Sequence, residues 1–453
     1  MTKFTKFVRF ASIPLLALGV ALALSAPDVS DPVEADGGAR HRGDRHAAGD
    51  ALPGLSSDLQ DLFDEGRDAF FHEYTAAEGL GPIYNERACQ TCHGGLSGAA
   101  GGPDPNGVGS EFDVTHFGYD NQGYYDPLRD LGGPIIQHRD ISDVAPGCTL
   151  TGETVPAQAN VISRRHTPAV WGFGLIDAIP DQEILRNQAI GRDGVNGVAN
   201  WGREMQALAA GPTAADPQLH IRGQVRVGRF GWKSQTATVA QFAAEPFGLE
   251  LGVTNPFFPQ EFTAAGLRFG HELPAGCDVA DSIPNDDDEE DSLALYHFQA
   301  LVAPPPRLPI RGQARAGEVL FERIGCANCH TPTLRTAPVY RLRTDSGFVR
   351  VPQLENQDVH LYSDLLTHDM GDLLADDGGT TIGRVMGRAD GRRWRTTPLW
   401  GLRFKNALLH DGRTASVEEA ILAHGGEAQN ARDRFASLPA SRQRHLLTFL
   451  QRL

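Results

Sequence analysis

Two pentapeptides carry the chemistry of this sequence, Cys89-Gln-Thr-Cys92-His93 and Cys326-Ala-Asn-Cys329-His330. On one helical turn, two thiols can each form a thioether with a vinyl group of haem, and the adjacent imidazole then reaches the iron from the proximal side. With 6 cysteines and 16 histidines in 453 residues, roughly three shuffled chains per thousand would hold one such match. Two matches are therefore not accidental. A zinc site needs its second cysteine pair nearby, whereas these pairs lie 237 residues apart. A thioredoxin-type site needs no histidine and expects a βαβ setting. The motifs predict two covalently bound haem c groups. Cys148 and Cys277 remain, an even pair able to close a disulfide in an oxidising compartment. Two separate buried thiols are the alternative.

The sixth position of a haem iron separates electron transfer from reaction. Ser416-Val-Glu-Glu419 has the form of a capping box. The helix it opens carries Val417, Ala420, Ile421 and His424 on one stripe before Gly425-Gly426 stops it. His424 thus lies on a buried face, where a hydrogen-bonded core histidine is the commoner occupant.

Arg395-Thr-Thr-Pro-Leu399, His410-Asp-Gly412 and Ser416-Val-Glu-Glu-Ala420 resemble the C-terminal half of bacterial di-haem cytochrome c peroxidases and the related MauG enzymes. Both haem motifs are similar too, so the resemblance spans most of residues 56–453. Gly81-Pro-Ile-Tyr-Asn-Glu86, Tyr362-Ser-Asp-Leu-Leu366, His368-Asp-Met-Gly371 and His424-Gly-Gly-Glu-Ala428 look most like the di-haem oxidoreductases once labelled thiol oxidoreductases. In the peroxidases, a Met fourteen residues after the His of His-Asp-Gly closes the second haem; in MauG a Tyr closes it. The matching position here is His424, which the resemblance implies as the second sixth ligand, with Met370 and His368 as runners-up. Met/His ligation raises haem potential, so a bis-His haem would be a weaker acceptor from cytochrome c.

The resemblance also maps Trp232 between the haems and Gln241, Pro246 and Glu250 onto the open face of the first, with a Pro-to-Glu spacing that departs by a residue or two. Splitting peroxide moves a proton from one oxygen to the other, which suits a carboxylate in a partly apolar pocket. Glu250 is the expected acid–base, with Asp177 as the alternative. No distal histidine is matched for the first haem, which is expected to be five-coordinate; His116 and His138 read as loop residues. The calcium site of the family uses an Asn where this chain has His166, so calcium is not carried over.

These groups need a scaffold. Gly66-x-x-x-Phe70 precedes the first motif and Gly317-x-x-x-Phe321 the second, a weak repeat that predicts a short helix leading into each. Leu446, Phe449, Leu450 and Leu453 mark an apolar stripe on a final helix. No long alternating pattern stands out, so the expected fold is mostly α, two cytochrome-c-like haem domains with long loops and insertions. Residues 1–26 read as a signal peptide, with a basic start and an apolar run too short for a comfortable span. The expected organisation continues with a flexible tether over 27–55 and an N-terminal haem domain over 56–300 with a loop insertion at 94–160. A Pro-rich linker at 301–311 and a C-terminal haem domain over 312–453 follow. Asp286-Asp-Asp-Glu-Glu-Asp291 reads as a solvated acidic loop.

Net charge is −16, and removing the three cations of residues 1–26 leaves −19. That excludes nucleic acid as a partner and favours a small basic redox protein. The sequence reading is a periplasmic di-haem c oxidoreductase that reacts with hydrogen peroxide at the first haem and relays electrons through the second. Once the signal is removed, no stable membrane span is expected. A pure electron carrier and a MauG-like or oxygenase enzyme acting on an organic or protein substrate are the alternatives.

Overall fold

The computed structural model describes residues 47–94, 113–121, 125–128, 131–142, 145–188, 191–203, 225–255, 276–277, 290–376 and 386–453. The signal peptide, most of the tether and Asp286–Glu289 lie outside these residues. Among the described residues, no helix is long and apolar enough to cross a membrane.

Two helix pairs organise the packing. The Ser57–Phe71 helix leads into the first motif and packs on the Glu290–Leu301 helix; the Gly312–Ile324 helix leads into the second and packs on the Ala440–Leu450 helix. The repeat seen in the sequence sits at these crossings. A Cβ on Gly66 would overlap the Ala294 carbonyl, and one on Gly317 the His445 carbonyl, so each glycine lets two backbones touch. One turn later, Phe70 packs against Phe298 with ring centroids 4.9 Å apart, and Phe321 against Phe449 at 5.4 Å. The same phenylalanines reach the motif imidazoles, Phe70 at 5.7 Å from His93 and Phe321 at 6.3 Å from His330. The final stripe is buried through Leu446, Phe449, Leu450 and Leu453.

The fold is mixed, which corrects the mostly α expectation: helix makes up 37% and strand 17% of the described residues. Among the described residues, six small sheets contribute, all two-stranded except one of three. Asp113–Asp120, inside the expected loop insertion, pairs antiparallel with Val161–His166, setting Phe117 opposite Ile162. Thr367–Asp369 pairs with Arg393–Arg395, and Arg341–Thr344 with Gly347–Arg350. These strands are short, polar and rich in arginine. Their partners are often distant in sequence, so no local apolar alternation announces them.

Two apolar cores form among the described residues. The larger draws on Phe63, Phe70, Trp171, Phe247 and Phe298 and also on Leu342, Leu354 and Leu366, residues on both sides of the Pro-rich stretch. The smaller gathers Phe321, Tyr362, Leu402, Phe435 and Phe449. The packed chain begins before Ser56, in the segment assigned to the tether. Ala48 and Leu52 are buried, and the Leu52 N–H donates to the Leu301 carbonyl at 2.8 Å. Cys148 and Cys277 are joined by a disulfide.

Candidate functional site

Each motif folds as one tight turn. The His93 N–H donates to the Cys89 carbonyl at 3.0 Å, and the His330 N–H to the Cys326 carbonyl at 3.0 Å. None of the four thiols is in a disulfide, and Cys329 Sγ lies 3.6 Å from His368 Nδ1. Burial pushes Cys89 and Cys326 up to about 12 and raises Cys92 and Cys329 as well. A reactive redox cysteine is the reverse, an accessible thiol with a depressed pKa.

The second motif faces a cavity of about 240 Å³. His330 and His424 both line it, with Leu399, Leu402, Ile421 and Leu450 supplying apolar wall. Ser416 caps the Val417–Ala423 helix by accepting from the Glu419 N–H at 3.2 Å, and His424 sits at its C-terminal end. His330 Nδ1 bonds the Tyr362 carbonyl at 2.9 Å, and His424 Nδ1 bonds the Ala420 carbonyl at 2.6 Å. Each ring is held by one nitrogen and keeps Nε2 for a further partner. Burial lowers the pKa of both, His330 to about 4, and each imidazole is therefore neutral at physiological pH.

The runners-up sit differently. His368 is buried with both nitrogens engaged, Nε2 to Asp364 Oδ2 at 2.9 Å and Nδ1 to Glu427 Oε2 at 2.8 Å. Burial alone would lower its pKa, but the Asp364 charge and the hydrogen bonds hold it well above the usual value. A doubly bonded imidazolium has no lone pair to offer. Met370 lines the cavity, its N–H donating to the Arg392 carbonyl at 3.0 Å.

A second group of side chains gathers around Glu250, whose charge acts on Cys92 of the first motif. Thr238 caps the Val239–Pro246 helix, which carries Gln241 and Glu245 and runs into a π turn, Phe247–Leu251, bearing Glu250. Such wide turns favour functional positions. The Gly81 and Gly252 backbones touch, and a Cβ on either would collide with backbone of the facing segment. That contact docks the Gly81–Glu86 segment on the turn, where Asn85 grips Glu250 twice. The Asn85 N–H donates to the Glu250 carbonyl at 2.6 Å, and Asn85 Nδ2 donates to Glu250 Oε2 at 2.6 Å. Burial raises Glu250 to about 7; the Asn85 bond opposes this and the Glu245 charge adds to it. The Glu250 charge in turn helps raise the Cys92 thiol, a sign of how near the carboxylate lies to the first motif. Glu245, also raised to about 7 by burial, accepts from Thr236 at 3.3 Å. Gln241 is buried and its Oε1 is unbonded.

Trp232 lies in the wall of the second cavity. Its Nε1 donates to the His166 carbonyl at 2.8 Å. Two residues beyond His166, the Pro168 carbonyl favours the protonated His93 ring, although burial dominates and brings that ring to about 4. Asp177 is committed elsewhere, accepting from Tyr340 Oη at 2.8 Å and from the Val239 N–H at 3.2 Å. His116 lies in the Asp113–Asp120 strand, whereas His138 bonds Asn85 Oδ1 through Nδ1 at 2.8 Å. Sequence reasoning did not single out Asn85 or Glu245, which the structure places beside Glu250 by a hydrogen bond and by charge. Both stood inside segments already singled out, but only the docking of Gly81 on Gly252 brings Asn85 to the carboxylate.

Residues 140–453 match the family model described as "Di-haem oxidoreductase, putative peroxidase". The chain belongs to this di-haem oxidoreductase family. The matched region contains the second motif and Glu250 and stops short of the first motif. Among solved structures, this di-haem oxidoreductase is similar to Kuenenia stuttgartiensis hydrazine synthase pressurised with 20 bar xenon, at 13% identity over 95% of this chain and 100% of that chain, TM-score 0.32. It is also similar to a MauG-like protein associated with microbial copper homeostasis, at 15% identity over 89% of this chain and 92% of that chain, TM-score 0.35. No curated protein matches it.

The residues of the second site fit a haem. An apolar cavity bounded by two thiols of one turn, with two neutral imidazoles each keeping one nitrogen, would suit the vinyl groups and the iron of a haem, with His330 and His424 as the residues that could hold it.

Proposed function

We propose that this di-haem oxidoreductase is an exported c-type enzyme in which Cys89, Cys92 and His93 hold one haem and Cys326, Cys329, His330 and His424 hold the other. Hydrogen peroxide is its oxidant, reacting on the His93 side. The observation that carries the reading is the inequality of the two sites. The second motif shares its cavity with a further imidazole, whereas the first has within electrostatic reach of Cys92 a carboxylate raised to about 7.

Bound haem iron would supply the electrons that, with two protons, turn hydrogen peroxide into two waters. The chain's own residues handle the protons. Glu250, with its pKa near 7, is ionised often enough to take a proton from one peroxide oxygen and acidic enough to return it to the other. Asn85 holds that carboxylate through Oε2 and leaves Oε1 for the substrate. Gln241 offers a buried, unbonded amide oxygen that can orient the incoming peroxide. Trp232 provides an aromatic step between the sites, since its indole joins the wall of the second cavity to the segment that reaches His93.

The net charge of −16 favours a small basic redox protein as electron donor, in a periplasmic setting where the Cys148–Cys277 disulfide is stable. The test is to titrate the purified diferric protein with hydrogen peroxide while recording optical and EPR spectra, then to add reduced cytochrome c. Stoichiometric consumption of peroxide with re-reduction by the cytochrome is expected. Two low-spin haems inert to peroxide would instead identify an electron carrier.

A further inference from the structure

Two donors in the wall of the second cavity lack an acceptor, and a third beside them is weakly bonded. Trp171 is fully buried, and its Nε1–H meets no partner. Arg395 is 7% exposed; its Nε donates to the Gly231 carbonyl at 2.8 Å, but Nη1 is unbonded. Lys405 Nζ has one long bond, to the Pro398 carbonyl at 3.4 Å. All three side chains line the cavity that holds His330 and His424. They are also close to one another. Phe404 meets Trp171 edge-on at 6.0 Å, Lys405 follows Phe404 in the chain, and the Arg395 charge acts on Lys405.

The absence of a counter-charge is specific to this cluster. Among the described residues, the other buried cations have carboxylates: Arg165 and Lys233 share Asp376, and Arg229 pairs with Asp181. No acidic group offsets the burial of Arg395, which falls to about 10, or of Lys405, which falls to about 8. Two desolvated cations and an indole N–H facing one space are costly unless an anion with several lone pairs enters it. A carboxylate fits, because a guanidinium, an ammonium and an indole can share its two oxygens.

We propose that Trp171, Arg395 and Lys405 form a carboxylate-binding site whose ligand is a carboxylate of the haem held by Cys326, Cys329 and His330. The assignment rests on the reading that this haem is bound there. The site fixes the orientation of the group and neutralises its acid within an apolar wall. Loss of the cation next to the haem favours the ferric state, so the site also holds the second potential up.

The test is a spectroelectrochemical titration of the intact di-haem protein and its R395M, R395K, K405M and W171F variants from acid to alkaline pH. Redox-difference infrared spectra follow the carboxylates. In R395M the second midpoint potential is expected to fall and to depend more steeply on pH, while the first is unmoved. R395K should recover part of the shift, and K405M should lose less than R395M. If R395M does not accumulate, R395K and K405M carry the same comparison. Native potentials, pH dependence and carboxylate bands in all variants would overturn the proposal. A saturable shift of the native potential by added acetate, abolished in R395M, would assign the site to a free carboxylate and overturn the haem assignment. Mass spectrometry on the same samples separates the two levels, because absence of haem at Cys326 and Cys329 would remove the underlying reading instead.

Discussion

Asn85 Nδ2 donates to Glu250 Oε2 at 2.6 Å, and that amide is in turn held by His138 Nδ1 on Asn85 Oδ1 at 2.8 Å. Between the first haem motif and the π turn, a buried side-chain amide therefore sets the position of the carboxylate and stabilises its charged form. Replacing Asn85 by Leu removes the donor, so the Glu250 pKa rises further above 7. The rate of peroxide reaction should climb with pH through about 7 in the native protein and at higher pH in N85L. In E250Q the limb should vanish and the rate drop by roughly two to four orders of magnitude, with both haem spectra intact. Stopped-flow pH profiles decide this, and an unchanged profile in E250Q removes Glu250 from the mechanism.

Glu250 also makes stability depend on pH. The folded chain keeps its proton up to about pH 7, whereas the ordinary carboxyl value is 4.5. Between those values the folded state binds the extra proton, so stability falls as pH rises, by at most about 1.4 kcal/mol per pH unit. Below 4.5 the group makes no difference. E250Q should flatten the decline and raise the thermal midpoint most above neutrality; a decline as steep as the native one would refute the assignment.

His424 should be dispensable for folding and required for the second haem spectrum. Its Nδ1 bonds only the backbone of its own helix, so H424A costs little packing. The expected result is conversion of one low-spin EPR signal to high spin. H368Q is the control. His368 is clamped by Asp364 and Glu427, so its loss should disturb stability while the low-spin signal stays.

Gly66→Ala and Gly317→Ala test the paired helix crossings. Each added methyl would meet a backbone carbonyl of the partner helix, which cannot rotate away. A loss of about 2 kcal/mol or more is expected in urea unfolding, above the cost of ordinary overpacking. A near-neutral effect at either position would mean that the helices slide apart easily.

Trp232→Phe should slow electron transfer between the haems while leaving their optical spectra unchanged, because only the indole and its bond to the His166 carbonyl are altered. Trp394→Phe is the comparison. That ring stacks on His410 at 3.7 Å with the Lys233 ammonium 3.9 Å from its centroid, a cation that makes the ring harder to oxidise. Equal slowing in both variants would deny Trp232 a special role.

Local spacing was enough to determine some features of this protein. The two Cys-x-x-Cys-His turns, the Gly-x-x-x-Phe helices before them, the Ser416 cap and the last apolar stripe depend on neighbours within a turn or two, and covalent geometry makes such patterns legible. Strand content was not legible, because pairings such as Phe117 with Ile162 or His368 with Trp394 join short polar segments with no alternation of their own. The site divides along the same line. His424 could be reached by counting from His410, but His368 could be set aside only once Asp364 and Glu427 were found on its two nitrogens. The grip of Asn85 on Glu250 spans 165 residues, and the unbonded donors of Trp171 and Arg395 and the weakly bonded ammonium of Lys405 come from separate segments. Burial, pKa and missing counter-charges are properties of who meets whom in space, and only the tertiary structure decides that.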